Sequence, residues 1–202
     1  MSAVEKLYVV EPEDQARADL YDFLAALLAK PADASLLTRV SSLKGDGTPI
    51  GQSMATLGRL AGVTTSDTCE REFNTLFVGL GRGELLPYAS YYLTGFLNEK
   101  PLAKLREEMS KRGIARAEGK SEPEDNVASL MEMMAGMILG RFGTVTPLEE
   151  QREFYDTHIA PWAKHFFTDL EGSKNSVFYA AVGTLGREFM EVEDQAFQLL
   201  AS

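Results

Sequence analysis

The sequence predicts an all-α protein, a bundle of about ten helices in two lobes joined by a hinge. Three observations carry that expectation. Apolar residues recur at three- and four-residue steps in almost every segment, the spacing of one buried helix face. No alternating run of β-branched residues extends beyond a few positions, so strands have little support. Proline, glycine and capping residues punctuate the chain at helix-length intervals.

The first helix starts at Pro12, Glu13 and Asp14, where a missing N–H costs nothing and negative charge meets the positive end of the helix dipole. Its apolar stripe is Ala16, Leu20, Phe23, Leu24, Leu27 and Leu28, and Pro31 stops it. A short helix follows over residues 33–43, then a loop over 44–47 and a third helix over 49–61. The next opens near Thr65 to Asp67 and carries Cys69, Phe73, Leu76, Phe77 and Leu80 on one face. Gly79-Leu80-Gly81-Arg82-Gly83 ends it, because glycine takes the positive φ of a helix C-terminus. Pro87 leads a loop rich in aromatics, Tyr88, Tyr91 and Tyr92, with helices expected over residues 91–98 and 101–112.

Residues 113–120 read as a polar connector. Ser121-Glu122-Pro123-Glu124 then has the form of a helix start, with Ser121 accepting from the third helical N–H and Glu124 reaching back. That helix runs to about residue 141, with Leu130, Met131, Met134, Met137 and Ile138 as its apolar side, and Gly143 ends it. Thr146-Pro147-Leu148-Glu149 repeats the start signal toward His158. Pro161 bends or restarts the chain before Trp162, Phe166, Phe167 and Leu170; Gly172 closes that element, and a last helix covers residues 176–200. The lobes are thus residues 1–112 and 122–202, with 113–121 between them, or the whole is one compact domain.

With 20 Lys+Arg against 30 Asp+Glu, the formal net charge is -10. Such a surface disfavours nucleic-acid phosphates and anionic membranes and attracts a basic peptide, although solubility alone is the more ordinary account. Cys69 is the single cysteine, which excludes an internal disulfide and a cysteine metal cluster. Its apolar setting predicts a buried, inert thiol. Residues 1–15 are acidic without a long apolar run, unlike a signal peptide. The longest apolar stretch, residues 23–29, is far too short to span a bilayer. A cytoplasmic protein is expected.

Catalytic chemistry finds little footing. The glycine segment at Gly79 to Gly83 lacks the sixth-position glycine of a dinucleotide loop, where Glu84 stands, and a helix rather than a strand precedes it. Gly119-Lys120-Ser121 imitates the end of a P-loop, but Ile114 occupies the place of its first glycine. His158 and His165 are the only histidines and lack a paired carboxylate set, while Glu153 and Asp156 read as solvated helix charges. No nucleophile elbow and no Cys–His arrangement appear. No catalytic residue, metal site or cofactor is therefore expected. Met131, Met133, Met134 and Met137 fit core packing, with an adaptable apolar groove as the alternative.

Three separated blocks resemble the TorD/DmsD/NarJ family of redox-enzyme maturation chaperones. The first is Glu72-Phe73-Asn74-Thr75-Leu76-Phe77-Val78-Gly79, continuing through Leu86-Pro87-Tyr88-Ala89-Ser90-Tyr91-Tyr92. The second, Glu122-Pro123-Glu124-Asp125-Asn126, is similar to that family's Glu-Pro-x-Asp-His hinge motif, with Asn126 in place of histidine. The third is His158-Ile159-Ala160-Pro161-Trp162 with Phe166, and the Arg17 to Leu28 stripe fits the first helix.

The resemblance implies a TorD-like all-α fold and a non-enzymatic partner of a molybdopterin oxidoreductase, binding the twin-arginine leader or apo form of its catalytic subunit until cofactor insertion. Carried across by motif, the peptide-binding residues are Phe73, Leu76, Phe77, Pro87, Tyr88, Asp125 and Asn126. Glu84, Glu122 and Glu124, with Asp125, would pair with the arginines. Phe73, Leu76 and Phe77 serve equally as plain core, and the acidic cluster as a cap. Three rivals remain: a NarJ-like helper for a non-exported molybdoenzyme, a small helical nucleotide hydrolase using Lys120, and an interaction scaffold. The connector admits a monomer or a domain-swapped dimer.

Overall fold

The structure, a computed structural model, describes residues 10–116, 119 and 122–199. Lys120 of the imitation P-loop and Ser121 of the expected cap lie outside the described residues. Helices α1 to α4 span Pro12–Leu28, Ala34–Ser41, Pro49–Ala61 and Ser66–Phe73. Helices α5 to α7 span Ala89–Thr94, Lys100–Lys111 and Val127–Ile138, and α8 to α10 span Leu148–Phe154, Ala163–Glu171 and Phe178–Leu199. Two π-helical turns, Asn74–Val78 and Tyr155–Ile159, extend α4 and α8. Among the described residues no strand forms, only one antiparallel bridge between Tyr88 and Asn126. The all-α expectation holds.

Several helix starts follow from local chemistry. Asp33, Thr48 and Thr65 each accept a backbone N–H of the first turn, from Leu36, Gly51 and Thr68 at 2.8, 3.0 and 3.2 Å. Each bond satisfies a donor that the helix cannot. Elsewhere, tertiary contacts move the boundaries. α5 begins at Ala89, two residues before the expected start, because the carboxylate of Asp125 accepts from the Ser90 N–H at 2.8 Å. It ends at Thr94 because Gly95 turns left-handed, with φ 82°. α7 begins at Val127 and not at the Glu122 turn. Asn126 is its cap, accepting from the Ala128 N–H at 2.9 Å, while Glu124 bonds Arg106 instead of reaching back.

α1 lies along α7, and α10 packs against α9 and α3, so both sides of the 113–121 segment share one core. The buried face of α1 is Ala18, Tyr21, Leu24, Ala25 and Leu28, with Leu27; Ala16, expected in the stripe, is exposed. Tyr21 takes the core position because Glu193 accepts its hydroxyl proton at 2.9 Å. Met131, Met133, Met134 and Met137 are all buried in that core. Cys69 is buried as well, and burial together with the Glu72 charge pushes its thiol pKa up to about 11, as an inert thiol requires. Leu80 leaves the expected helix face altogether and is fully exposed in the glycine loop.

Glu72 joins α4 to the start of α10. Its Oε2 accepts from Ser176 Oγ at 2.6 Å and from the Phe178 and Tyr179 N–H groups at 3.1 and 3.3 Å. Its Oε1 accepts from the Val177 N–H at 3.2 Å. A carboxylate there satisfies free donors and meets the positive helix end. Glu72→Ala is expected to cost about 1–2 kcal/mol, read from the urea midpoint; an unchanged midpoint would show that the cap contributes nothing.

His158, on the second π-turn, is buried against Phe154 with ring centroids 5.0 Å apart. Burial lowers its pKa to about 4, with Arg112 and Lys104 lowering it further and Glu108 opposing. The unfolded imidazole binds its proton near 6.5 and the folded one only near 4. Its contribution is therefore complete above the upper value and is lost as pH falls toward the lower one. Urea midpoints at pH 7 and pH 5 should differ more in the wild type than in His158→Leu. Equal differences would contradict a buried neutral imidazole.

Candidate functional site

The first two motifs meet through the backbone. The Ala89 N–H donates to the Asp125 carbonyl at 3.0 Å, and the Val127 N–H donates to the Pro87 carbonyl at 2.8 Å. These bonds stitch the Pro87 loop to the hinge segment and set Tyr88 opposite Asn126. The π-turn after α4 then presents Phe73 and Phe77 to the same space. Their rings pack edge to face with centroids 4.9 Å apart, and Phe77 rests on Tyr179 and Phe166 behind it, at 6.0 and 6.4 Å. Edge-to-face packing of this kind gives a stiff apolar floor.

The result is a cleft of about 280 Å³. Six expected site residues line it: Phe73, Phe77, Pro87, Tyr88, Glu122 and Asn126. Three do not. Leu76 is turned wholly inward by the π-turn and is core beneath the floor. Asp125 is 1% exposed and holds the start of α5. Glu124 accepts from Arg106 Nε and Nη2 at 3.0 and 2.8 Å, so its charge is already matched. Asp125 and Glu124 thus stand beside the cleft, bonded to the Ser90 N–H and to Arg106, and not on its lining. Glu84 lines neither this cleft nor the next and accepts from Asn175 at 2.8 Å.

The rim is polar. The Tyr88 hydroxyl donates to Glu122, and burial, reinforced by the bond to Glu122 and its charge, holds the phenol pKa well above the usual value. It thus stays a proton donor across the physiological range. Glu122 and Ser129 also line an adjoining depression of about 90 Å³, whose wall includes Glu124, Glu132 and Arg116. An apolar floor therefore runs onto a carboxylate-bearing edge. Leu28 and Ser129 of the first cleft and Glu132 of the adjoining depression are lining positions that the motifs did not supply. Ser129 and Glu132 stand three and six residues beyond Asn126, one face of α7, and that spacing is the signal that reveals them.

The glycine segment closes over the π-turn instead of cradling a phosphate. The Glu84 and Leu85 N–H groups donate to the Thr75 and Leu76 carbonyls at 3.2 and 2.8 Å. A Cβ on Gly83 would lie 2.5 Å from the Leu76 oxygen, so glycine is needed for that close approach. With a helix before it and its exit bonded back onto the π-turn, the loop lacks the strand–nest–helix context of a nucleotide site.

Residues 44–168 match the family profile described as nitrate reductase delta subunit, a span that contains most of the cleft. The chaperone protein TorD of Vibrio atlanticus is 25% identical, aligned over 90% of this chain and 94% of its own. TorD of Aliivibrio fischeri is also 25% identical, over 89% of this chain and 94% of its own. In fold, the chain is similar to a crystal structure from Archaeoglobus fulgidus described as a redox enzyme maturation protein. The TM-score is 0.57 at 19% identity, over 93% of this chain and 99% of that one. The chain belongs to the nitrate reductase delta subunit family, as a TorD-like chaperone and not an enzyme.

Proposed function

We propose that the cleft holds the twin-arginine leader of the catalytic subunit of a molybdopterin oxidoreductase until its cofactor is inserted. The observation that carries this reading is the meeting of Phe73, Phe77 and Tyr88 with the Glu122 edge in one opening. A leader of this class offers the matching pair, an apolar stretch and two adjacent arginines. The apolar stretch lies on the aromatic floor, at about 0.8 kcal/mol per buried methylene. The arginines turn toward Glu122, where a planar guanidinium forms paired bonds with a carboxylate. A micromolar complex needs only about 8 kcal/mol net, within reach of a cleft this size. Asn126 serves as a neutral cap, so this chain needs no protonated histidine at the hinge.

Retention before export places the protein in the cytoplasm. No helix among the described residues is long and apolar enough to cross a membrane. Calorimetric titration with a synthetic twin-arginine leader tests the reading. Binding in the micromolar range is expected, weakened about tenfold or more when both arginines become glutamine. No heat of binding, or equal affinity for the glutamine peptide, would overturn it.

A further inference from the structure

A second cleft, of about 200 Å³, opens between α5, α6 and the Tyr155–Ile159 turn, and it shares no lining residue with the first. Tyr88 lines one and its neighbour Ala89 the other. The charge here is reversed. In a chain of net charge -10, the ionic groups of this cleft are Lys100 and Lys104, both exposed. Neither lysine forms an ion pair among the described residues, whereas Lys30, Lys111 and Lys164 do.

Between the lysines and the core sits His158, only 7% exposed yet lining the cleft, and no described group hydrogen-bonds its ring nitrogens. Those ring nitrogens are not among the buried polar atoms left without a partner, so they stay in touch with solvent in the cleft and are open to an incoming group. The histidine is carried on a π-turn, a distortion that recurs at functional sites. Neutral imidazole keeps one N–H to donate and one nitrogen to accept. The charged groups acting on it are Glu108, Arg112 and Lys104, and Glu108 is already bonded to Arg112 at 2.8 Å. The remaining surface is greasy: Leu93 of the wall is 42% exposed, and Phe96 and Leu97 on the following loop are 70% and 41% exposed.

We infer that this cleft docks an acidic, apolar segment of a partner polypeptide, with a carboxylate meeting Lys100, Lys104 and the His158 imidazole and a large apolar side chain lying on Leu93 and Phe96. Charge complementarity selects the occupant. Two unpaired lysines repel an arginine-bearing leader and attract carboxylates, while the apolar wall and the exposed Phe96 exceed what a bare inorganic anion can cover. The chaperone would then hold two segments of opposite character in separate clefts. This inference stands whether or not the first cleft takes a leader.

The test uses the full chain and a fluorescein-labelled peptide alternating glutamate with leucine and phenylalanine. Its glutamine counterpart and inorganic phosphate serve as comparison probes. Because His158 and the exposed His165 are the only histidines, the imidazole NMR spectrum reads the site against an internal reference. The glutamate peptide should bind, shift the His158 resonances and leave those of His165 in place. Lys100→Glu with Lys104→Glu should weaken that binding about tenfold or more at an unchanged thermal midpoint, and the glutamine peptide should be weaker to a similar degree. Lys100→Gln with Lys104→Gln provides the same comparison should the double reversal perturb the fold. Binding indifferent to the lysines, a silent His158, or phosphate alone giving the shift without peptide binding would each overturn the proposal. So would light scattering that shows a lysine-dependent dimer of this chain with which the peptide does not compete.

Discussion

Replacing Phe77 and Tyr88 together with alanine is expected to weaken binding of a twin-arginine leader by about 100-fold, roughly 3 kcal/mol. The size follows from their place in the cleft. Phe77 is half-buried, stacked edge-on against Phe73 and backed by Tyr179 and Phe166, so its outer face is already ordered for an apolar ligand. Tyr88 offers a ring to the same floor and a hydroxyl fixed on Glu122. Rigid aromatic side chains of this kind dominate interface energetics because little freedom remains to be lost on binding. Tyr88→Phe keeps the ring and removes the hydroxyl with its bond to Glu122, and should weaken binding no more than several-fold. Asp125→Ala should act differently, lowering stability first, since it removes the acceptor at the start of α5. Affinity untouched by Phe77→Ala, Tyr88→Ala in a folded chain would remove the cleft from leader binding.

The second large effect concerns the fold beneath the cleft. Glu193→Ala is expected to reduce stability by about 3–5 kcal/mol, the range for removing one partner of a buried ion pair. Glu193 is 1% exposed and accepts from Arg17 Nε and Nη2 at 2.8 and 2.9 Å and from the Tyr21 hydroxyl at 2.9 Å. Burial alone would lower the Arg17 pKa, but the Glu193 bond and charge outweigh it, and the guanidinium stays charged. Without Glu193 that charge keeps Asp14, at 2.9 Å, Gln151 and the face of the Phe197 ring, and the Tyr21 hydroxyl is left buried without its acceptor. The pair ties α1 to α10, and the end of α1 supplies Leu28 to the cleft, so leader affinity should fall along with stability. Urea unfolding of Glu193→Ala and Glu193→Gln measures this. A loss below about 1 kcal/mol for the alanine variant would mean that the pair contributes no more than a surface one.

Elements whose ends are written locally were legible in the sequence. α3 begins at Thr48-Pro49 and ends at Gly62 as the capping pattern requires, and α9 stops at Gly172. The pairing of the Phe73 block with the hinge was legible only through resemblance, since the bonds joining Pro87 to Val127 span some forty residues. Helical spacing alone could not separate Leu76 from Phe77. The π-turn adds a residue to that turn, sending Leu76 into the core and leaving Phe77 at the cleft. The roles of Asp125 and Glu124 were hidden for a related reason. Each carboxylate is used by a distant partner, the Ser90 N–H and Arg106, that no local pattern names. The lysine-lined cleft was out of sight because α5, α6 and the second π-turn bring their residues from separate stretches of chain.

Photo-cross-linking gives the most direct test of the proposed binding surface. A twin-arginine peptide with a benzophenone in its apolar stretch would be irradiated with the protein, and the labelled residues read by mass spectrometry. Label is expected on Phe73, Phe77, Tyr88 and the Ala128-Ser129 turn of α7. Label confined to the opening between α3 and α10, at Gln52, Thr56 and Thr184, would contradict it.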